Sequence, residues 1–268
     1  MDLTYKIIPI YENDELKKSK PVKNGNFLHE SISKQILVYE IDEYQKIYSI
    51  FGYHFLIVKE TENNKTFNKI FKKIEQDTFY QAHYSTQILT DEEISKTLRN
   101  SMTLQISKNN TYDSDIKVVV CEKGFIWCNK YNFDNTNKFE MTLILFLIAI
   151  SYNKKSTEIL SDVSNSYQGK SYKEMIKTRD EIYDFDLKYF FENPVKQDRH
   201  QQYDIWKIIE KNYHIIDIHN EIKSRVVGLT NIIETNGKNK KTDTLTIIGL
   251  VISIISLIIS IFNKLQIG

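Results

Sequence analysis

The apolar positions of this chain change their spacing along its length. Over residues 1–60 they fall in short β-branched and aromatic runs, such as "ILVYEI" (Ile36–Ile41) and "GYHFLIVKE" (Gly52–Glu60), which predict strands. The polar stretch between Tyr11 and Asn26 predicts a loop. "KTFNKIFKKIEQ" (Lys65–Gln76) places Phe67, Ile70, Phe71 and Ile74 on one helical face. "TDEEISKTLRN" opens with Thr90 and carries Glu93 three residues later, the capping-box pattern of a helix start. "DIKVVVCEKGFIWCNKY" predicts a hairpin turning at Glu122-Lys123-Gly124.

From about Lys138 the spacing is helical. One helix is predicted over Phe139–Asp162, a second over Tyr172–Glu192, ending before Pro194, and a third from Arg199 to Glu234. The third carries a heptad-like row, Ile205, Ile208, Ile215, Ile222, Val226 and Leu229, suited either to copies of the same chain or to the preceding helix. "LILFLIAI" (Leu143–Ile150) is too short to span a bilayer and predicts a buried core helix.

The last apolar run, Leu245–Phe262, has 18 residues without a charge. As a helix it would extend roughly 27 Å, about the thickness of a bilayer's hydrocarbon. It is therefore expected to be a single C-terminal transmembrane helix. Lys238, Lys240 and Lys241 precede it and Lys264 follows, a bias that keeps residues 1–243 in the cytoplasm. Thr246, Gly249, Ser253, Ser256 and Ser260 recur at steps of three and four, and Asn263 extends the stripe. Small and hydroxylated residues in membrane helices sit where helices meet. The stripe is thus expected to be either a packing seam or, with four or more copies around an axis, the lining of a pore.

The expected architecture is an α+β cytoplasmic head (1–137), a long helical hairpin stalk (138–236), a basic juxtamembrane linker (237–244), the transmembrane helix (245–262) and a short external tail (263–268). The expected location is the bacterial inner membrane.

Composition narrows the chemistry. Charge is balanced, 36 basic against 35 acidic residues, so no large field of one sign steers a partner. Two cysteines, Cys121 and Cys128, exclude a disulfide framework and read as small buried hydrophobes. The acidic residues near the N-terminus and the lack of a long apolar run there argue against a signal peptide. The glycines are scattered, so neither a P-loop nor a dinucleotide fingerprint can be drawn, and GxSxG and HExxH are absent. His214 and His219 are five apart and make no i,i+4 metal pair. No catalytic residue, metal site or cofactor is expected, and the chain does not read as an enzyme. Candidate ligand-binding residues are Lys17 and Lys18, in a lysine cluster with Lys20 and Lys23, and Arg199 and His200 in "VKQDRHQQYD". Aromatic side chains beside lysines can stack on and pair with a nucleotide or oligonucleotide.

The segment "RDEIYDFDLKYFFENPVKQDRHQQYDIWKIIEKNYHIIDIHNEIKSRVVGLTNIIE" with the terminal apolar run resembles the CorA-like membrane proteins in layout and helical pattern. CorA transporters have two membrane helices and a Gly-Met-Asn signature, both absent here, so no transport residue is carried over. A cytoplasmic sensor head joined to a membrane helix also resembles effectors of bacterial anti-phage defence. That resemblance implies a homo-oligomer whose head senses a nucleotide signal and whose C-terminal helices form an ion channel. The alternative is a membrane-anchored scaffold that recruits a cytoplasmic partner.

Overall fold

The computed structural model describes residues 2–10, 19–60, 79–100, 115–130, 136–167 and 172–266, with the backbone alone at 166–167, 236–244 and 254–266. Lys17, Lys18 and the helix expected at Lys65–Gln76 lie outside the described residues. So do the side chains of Ser256, Ser260, Asn263 and the lysines flanking the terminal run. The chain forms two compact units: residues 1–157 with 185–219, and residues 158–184 with 220–268. This division differs from the expected head and stalk, which met at 137/138.

Among the described residues the first unit is built on an eight-stranded sheet. Its strands are β1 (Leu3–Ile10), β2 (Lys20–Pro21), β3 (Ile36–Glu40), β4 (Gln45–Ile50), β5 (Tyr53–Lys59), β6 (Tyr80–Ser85), β7 (Ile116–Cys121) and β8 (Gly124–Asn129). Their order is β2-β3-β4-β5-β1-β6-β8-β7. Pairing is antiparallel except between β6 and β8, which run parallel. β4 and β5 are joined by Phe51-Gly52, both at positive φ (52° and 85°), the pairing that a two-residue hairpin turn requires.

Register sorts the side chains into two faces, because alternate residues of a strand point oppositely. One face carries Tyr5 and Ile7 of β1, Tyr48 and Ile50 of β4, Phe55 and Ile57 of β5 and Phe125 and Trp127 of β8. Helix α3 (Thr136–Tyr167) lies on it. Phe139 packs on Tyr5, Tyr84 and Phe125, and Phe146 on Tyr80 and Phe125. Leu143–Ile150 is at most 4% exposed, as expected of a core helix. On the other face, α2 (Asp91–Arg99) inserts Ile94 and Leu98 among Val119, Cys121, Ile126 and Cys128. Its capping box forms: Thr90 Oγ1 accepts from Glu93 N–H, and Thr90 N–H donates to the Glu93 carboxylate. Both cysteines are free and buried. The short helix α1 (Glu30–Ser33) precedes β3. Around it, the backbone at Phe27–His29 hydrogen-bonds to that at Pro194–Lys196.

Tyr152 on α3 anchors the chain after helix α4 (Tyr172–Lys188). Its hydroxyl donates to Tyr189 O at 2.7 Å and accepts from Phe191 N–H at 3.1 Å. Its ring meets Phe51, Phe185, Phe190 and Trp206.

The third helix expected from the sequence is two. α5 (His200–Tyr213) ends at His214, whose backbone is left-handed (φ 50°), and α6 starts at Ile215. Histidine is among the residues that tolerate this conformation, and no glycine marks the break. α6 then continues as helix to Gln266 through the stretch expected to be a linker. In the second unit Ile159, Val163, Ile182, Ile222, Val226, Leu229 and Ile233 are buried.

The membrane expectations are overturned. Among the described residues no helix is long and apolar enough to cross a membrane. Much of the 52-residue length of α6 is polar: its first half carries Glu221, Lys223, Arg225 and Glu234. The fold is therefore an α+β chain with a large sheet, without the expected single transmembrane helix. The descriptions of a single-pass, pore-forming membrane protein and an inner-membrane location fall with that helix.

Candidate functional site

At one end of the sheet, where β1, β4 and β5 pass under the first turns of α3, two adjoining hollows open in the first unit. One, of about 240 Å³, is lined by residues including Tyr5, Tyr44, Lys46, Tyr48, Lys59, Asn137, Phe139 and Glu140. The other, of about 490 Å³, is lined by residues including Lys20, Lys23, Asn24, Tyr39, Glu40, Lys46, Asn137 and Glu140. Lys46, Asn137 and Glu140 border both, so the two hollows form one cleft. Its size is that of small-molecule sites.

Strand pairing assembles the floor. Lys46 on β4 faces Glu40 on β3 and Ile57 on β5, and Tyr5 on β1 faces Lys59 on β5. Lys20 on β2 sits opposite Val38. The β3–β4 turn holds Tyr44 at the rim, with Asp42 Oδ1 accepting from Tyr44 N–H at 2.7 Å and Tyr44 O accepting from Lys59 N–H at 2.8 Å. Helix α3 supplies the opposite wall, with Asn137 exposed and Phe139 buried.

Glu140 organises the middle. Tyr48 Oη donates to its Oε1 at 2.9 Å, Asn24 Nδ2 donates to its Oε2 at 2.5 Å, and Lys46 Nζ lies 3.6 Å from Oε1. Lys46 also approaches Glu40 at 3.4 Å. The phenol of Tyr48 is pushed well above the usual tyrosine range, first by burial and then by the Glu140 carboxylate, which disfavours a second negative charge. Tyr5 is raised for the same two reasons. Both rings are thus neutral hydrogen-bonding groups at any ordinary pH. Lys20, Lys23 and Lys59 take part in none of the ion pairs among the described residues, so their charge is less compensated than that of Lys46.

Chemically the cleft offers ammonium groups for an anion, aromatic faces for a planar ring, and amide and carboxylate groups for polar edges. Of the candidate residues that are described, Arg199 and His200 lie outside it. Arg199 and His200 are exposed at the start of α5, and Arg199 pairs with Asp198 at 3.6 Å. Asp198 does not cap the helix, since Arg199 is the N-cap residue and no side chain caps it. Ile205, Ile215, Ile222, Val226 and Leu229 are buried within the chain, and Ile208 is half-buried. Among the described residues no group of His, Cys, Asp and Glu is placed to hold a metal ion.

A polar chain lies on the opposite sheet face. Thr4 Oγ1 is 3.0 Å from His83 Nδ1, and His83 Nε2 is 3.0 Å from Gln81 Oε1. Gln81 Oε1 is an acceptor, which puts the proton on Nε2 and lets Nδ1 accept from Thr4. Burial, aided by the Lys6 charge, lowers the His83 pKa to about 4, so the ring is neutral.

Sequence reading picked out Lys20 and Lys23 as neighbours of the lysine cluster but missed Tyr5, Tyr44, Lys46, Lys59 and Glu140. The signal available was polar residues at inward positions of strands, but their convergence depends on pairings between distant segments. No family model, curated protein or solved structure matches the chain.

Proposed function

We propose that the first unit is a binding module for a phosphate-bearing nucleotide, held in the Lys46–Glu140 cleft without being chemically altered there. The observation that carries the reading is the convergence of Lys20, Lys23, Lys46 and Lys59 with Tyr5, Tyr44 and Asn137 around one opening. Lysine ammonium groups attract phosphate oxygens as point charges, and aromatic faces accept a base by stacking. Glu140 already accepts from two neutral donors, so its remaining lone pairs suit an amino group of the ligand. Its carboxylate also holds Lys46 in place between strand and helix.

Titration calorimetry of the full chain against mono-, di- and cyclic nucleotides tests this. A saturable site is expected, weakening as salt rises because exposed charges are screened. The Lys46→Gln, Lys59→Gln double variant is expected to bind at least tenfold more weakly, about 1.4 kcal/mol. Substitution of the distant exposed Arg199 by Gln is expected to leave binding unchanged. Absence of saturable binding to every nucleotide class, or binding indifferent to the lysine substitutions, refutes the proposal.

A further inference from the structure

The second unit presents an apolar surface that is left exposed among the described residues. Over Leu245–Ile252 the large side chains are all exposed: Leu245 69%, Ile247 64%, Ile248 49%, Leu250 59%, Val251 49% and Ile252 58%. Successive helix residues are ~100° apart, so these six cover an arc of roughly 220° around the helix, and Thr246, Gly249 and Ser253 occupy the rest. A Cβ added at Gly249 would meet nothing within 4 Å, which shows that face open as well. Ser253 Oγ donates to Gly249 O at 2.8 Å, so its hydroxyl is satisfied within its own helix and tolerates an apolar neighbour.

We infer that residues 245–253 of α6 pack against the same segment of other copies of this chain, forming a helical bundle. Area supports this occupant. The exposed parts of the six side chains come to roughly 600 Å², at the upper end of the largest apolar patch on an ordinary monomer. A standard interface buries about 800 Å² per partner, so the patch supplies most of one from apolar side chains alone. Shape supports it too, since a flat protein surface reaches one side of a helix whereas the large apolar side chains here cover roughly 220° of the circumference. A dimer leaves its outer side bare, so the bundle has three or more members. Thr246, Gly249 and Ser253, at steps of three and four, allow two backbones to approach closely along one line.

The test uses the full chain without detergent, by sedimentation equilibrium and by oxidative cross-linking of a Ser253→Cys variant. Wild type is expected to sediment as trimer or larger, in a concentration-dependent manner. The cysteine variant is expected to form disulfides between copies, since Cys121 and Cys128 are buried and do not compete. Ile247→Glu with Leu250→Glu is expected to return the chain to monomer with its helical circular dichroism retained, because both positions are exposed. The inference is overturned if wild type is monomeric throughout, or if the double glutamate variant assembles equally well. It is also overturned if the chain floats with phosphatidylcholine vesicles and yields no cross-link there, the result expected when lipid rather than a second copy covers the segment.

Discussion

Replacing Gly124 by alanine tests how closely β6 and β8 are joined. Gly124 sits at φ 154°, directly opposite Gln81 in the parallel pairing of the two strands. A Cβ at this position would lie 2.8 Å from Gln81 C and 2.9 Å from Gln81 N, and closer still to Gln81 O. These are backbone atoms of a paired strand, so no side-chain rotation relieves the overlap. Relief requires the strands to separate by about an ångström. That separation stretches the 2.8 Å bond from Gln81 N–H to Lys123 O and disturbs Phe125 and Trp127, both fully buried one and three residues on. Losing one buried hydrogen bond costs roughly 1–3 kcal/mol and loosening the packing costs a similar amount, so a total of about 3–4 kcal/mol is expected.

Urea unfolding followed by tryptophan fluorescence measures this, because Trp127 lies on the affected strand. At this size 1 kcal/mol moves the midpoint of thermal unfolding by about 2–4 °C, so a fall on the order of 10 °C is expected. Gly52→Ala is the control. Gly52 also has positive φ (85°), but nothing lies within 4 Å of its added Cβ. It is expected to cost about 1 kcal/mol, from backbone conformation alone. If Gly124→Ala costs no more than Gly52→Ala, the close approach of β8 to β6 is not what glycine serves here.

Three further outcomes are expected. His83 has its folded pKa lowered to about 4 against 6.5 unfolded, so the stability tied to its neutral ring is complete above pH 6.5 and is lost as pH falls toward 4. The loss is about 3 kcal/mol at most, and urea midpoints at pH 7 and 4.5 should differ less in His83→Asn than in wild type; equal differences refute it. Tyr152→Phe removes the bonds to Tyr189 O and Phe191 N–H, and is expected to destabilise the first unit by about 2–3 kcal/mol in the same assay. Glu140→Gln removes the carboxylate that holds Lys46 in place, and is expected to weaken nucleotide binding roughly fivefold, near 1 kcal/mol, while lowering stability; tighter binding would show that Glu140 competes for Lys46 rather than positioning it.

Local signals in the sequence carried over well. The capping box at Thr90–Glu93, the hairpin at Glu122–Gly124 and the buried run at Leu143–Ile150 each depend on neighbours within a few residues, and each formed. What depended on distant partners was not legible. Tyr5 and Lys59 become neighbours through β1–β5 pairing, and Glu140 meets Tyr48 and Asn24 across 92 and 116 residues. No periodicity encodes those meetings. The break at His214 was missed because the apolar spacing continues across it, whereas the turn rests on one residue's backbone angle.

The two apolar runs show most clearly where sequence patterning stops. Leu143–Ile150 and Leu245–Ile252 are similar in length and in their content of Leu and Ile, and both are helical. The first is at most 4% exposed, yet the large side chains of the second are 49–69% exposed. Hydropathy states how strongly a segment prefers to leave water, but not what receives it. For the first run the receiver is the sheet face carrying Tyr80 and Phe125, against which Phe146 packs. For the second, the described residues provide none. Burying six such side chains from half exposure is worth about 1 kcal/mol each, roughly 6 kcal/mol per copy. Bringing two copies together costs on the order of 4–15 kcal/mol, and a pair, covering one side of each helix, returns only part of the roughly 12 kcal/mol that complete burial of both segments would give. Each additional helix that covers a side still exposed therefore shifts the equilibrium toward the larger bundle.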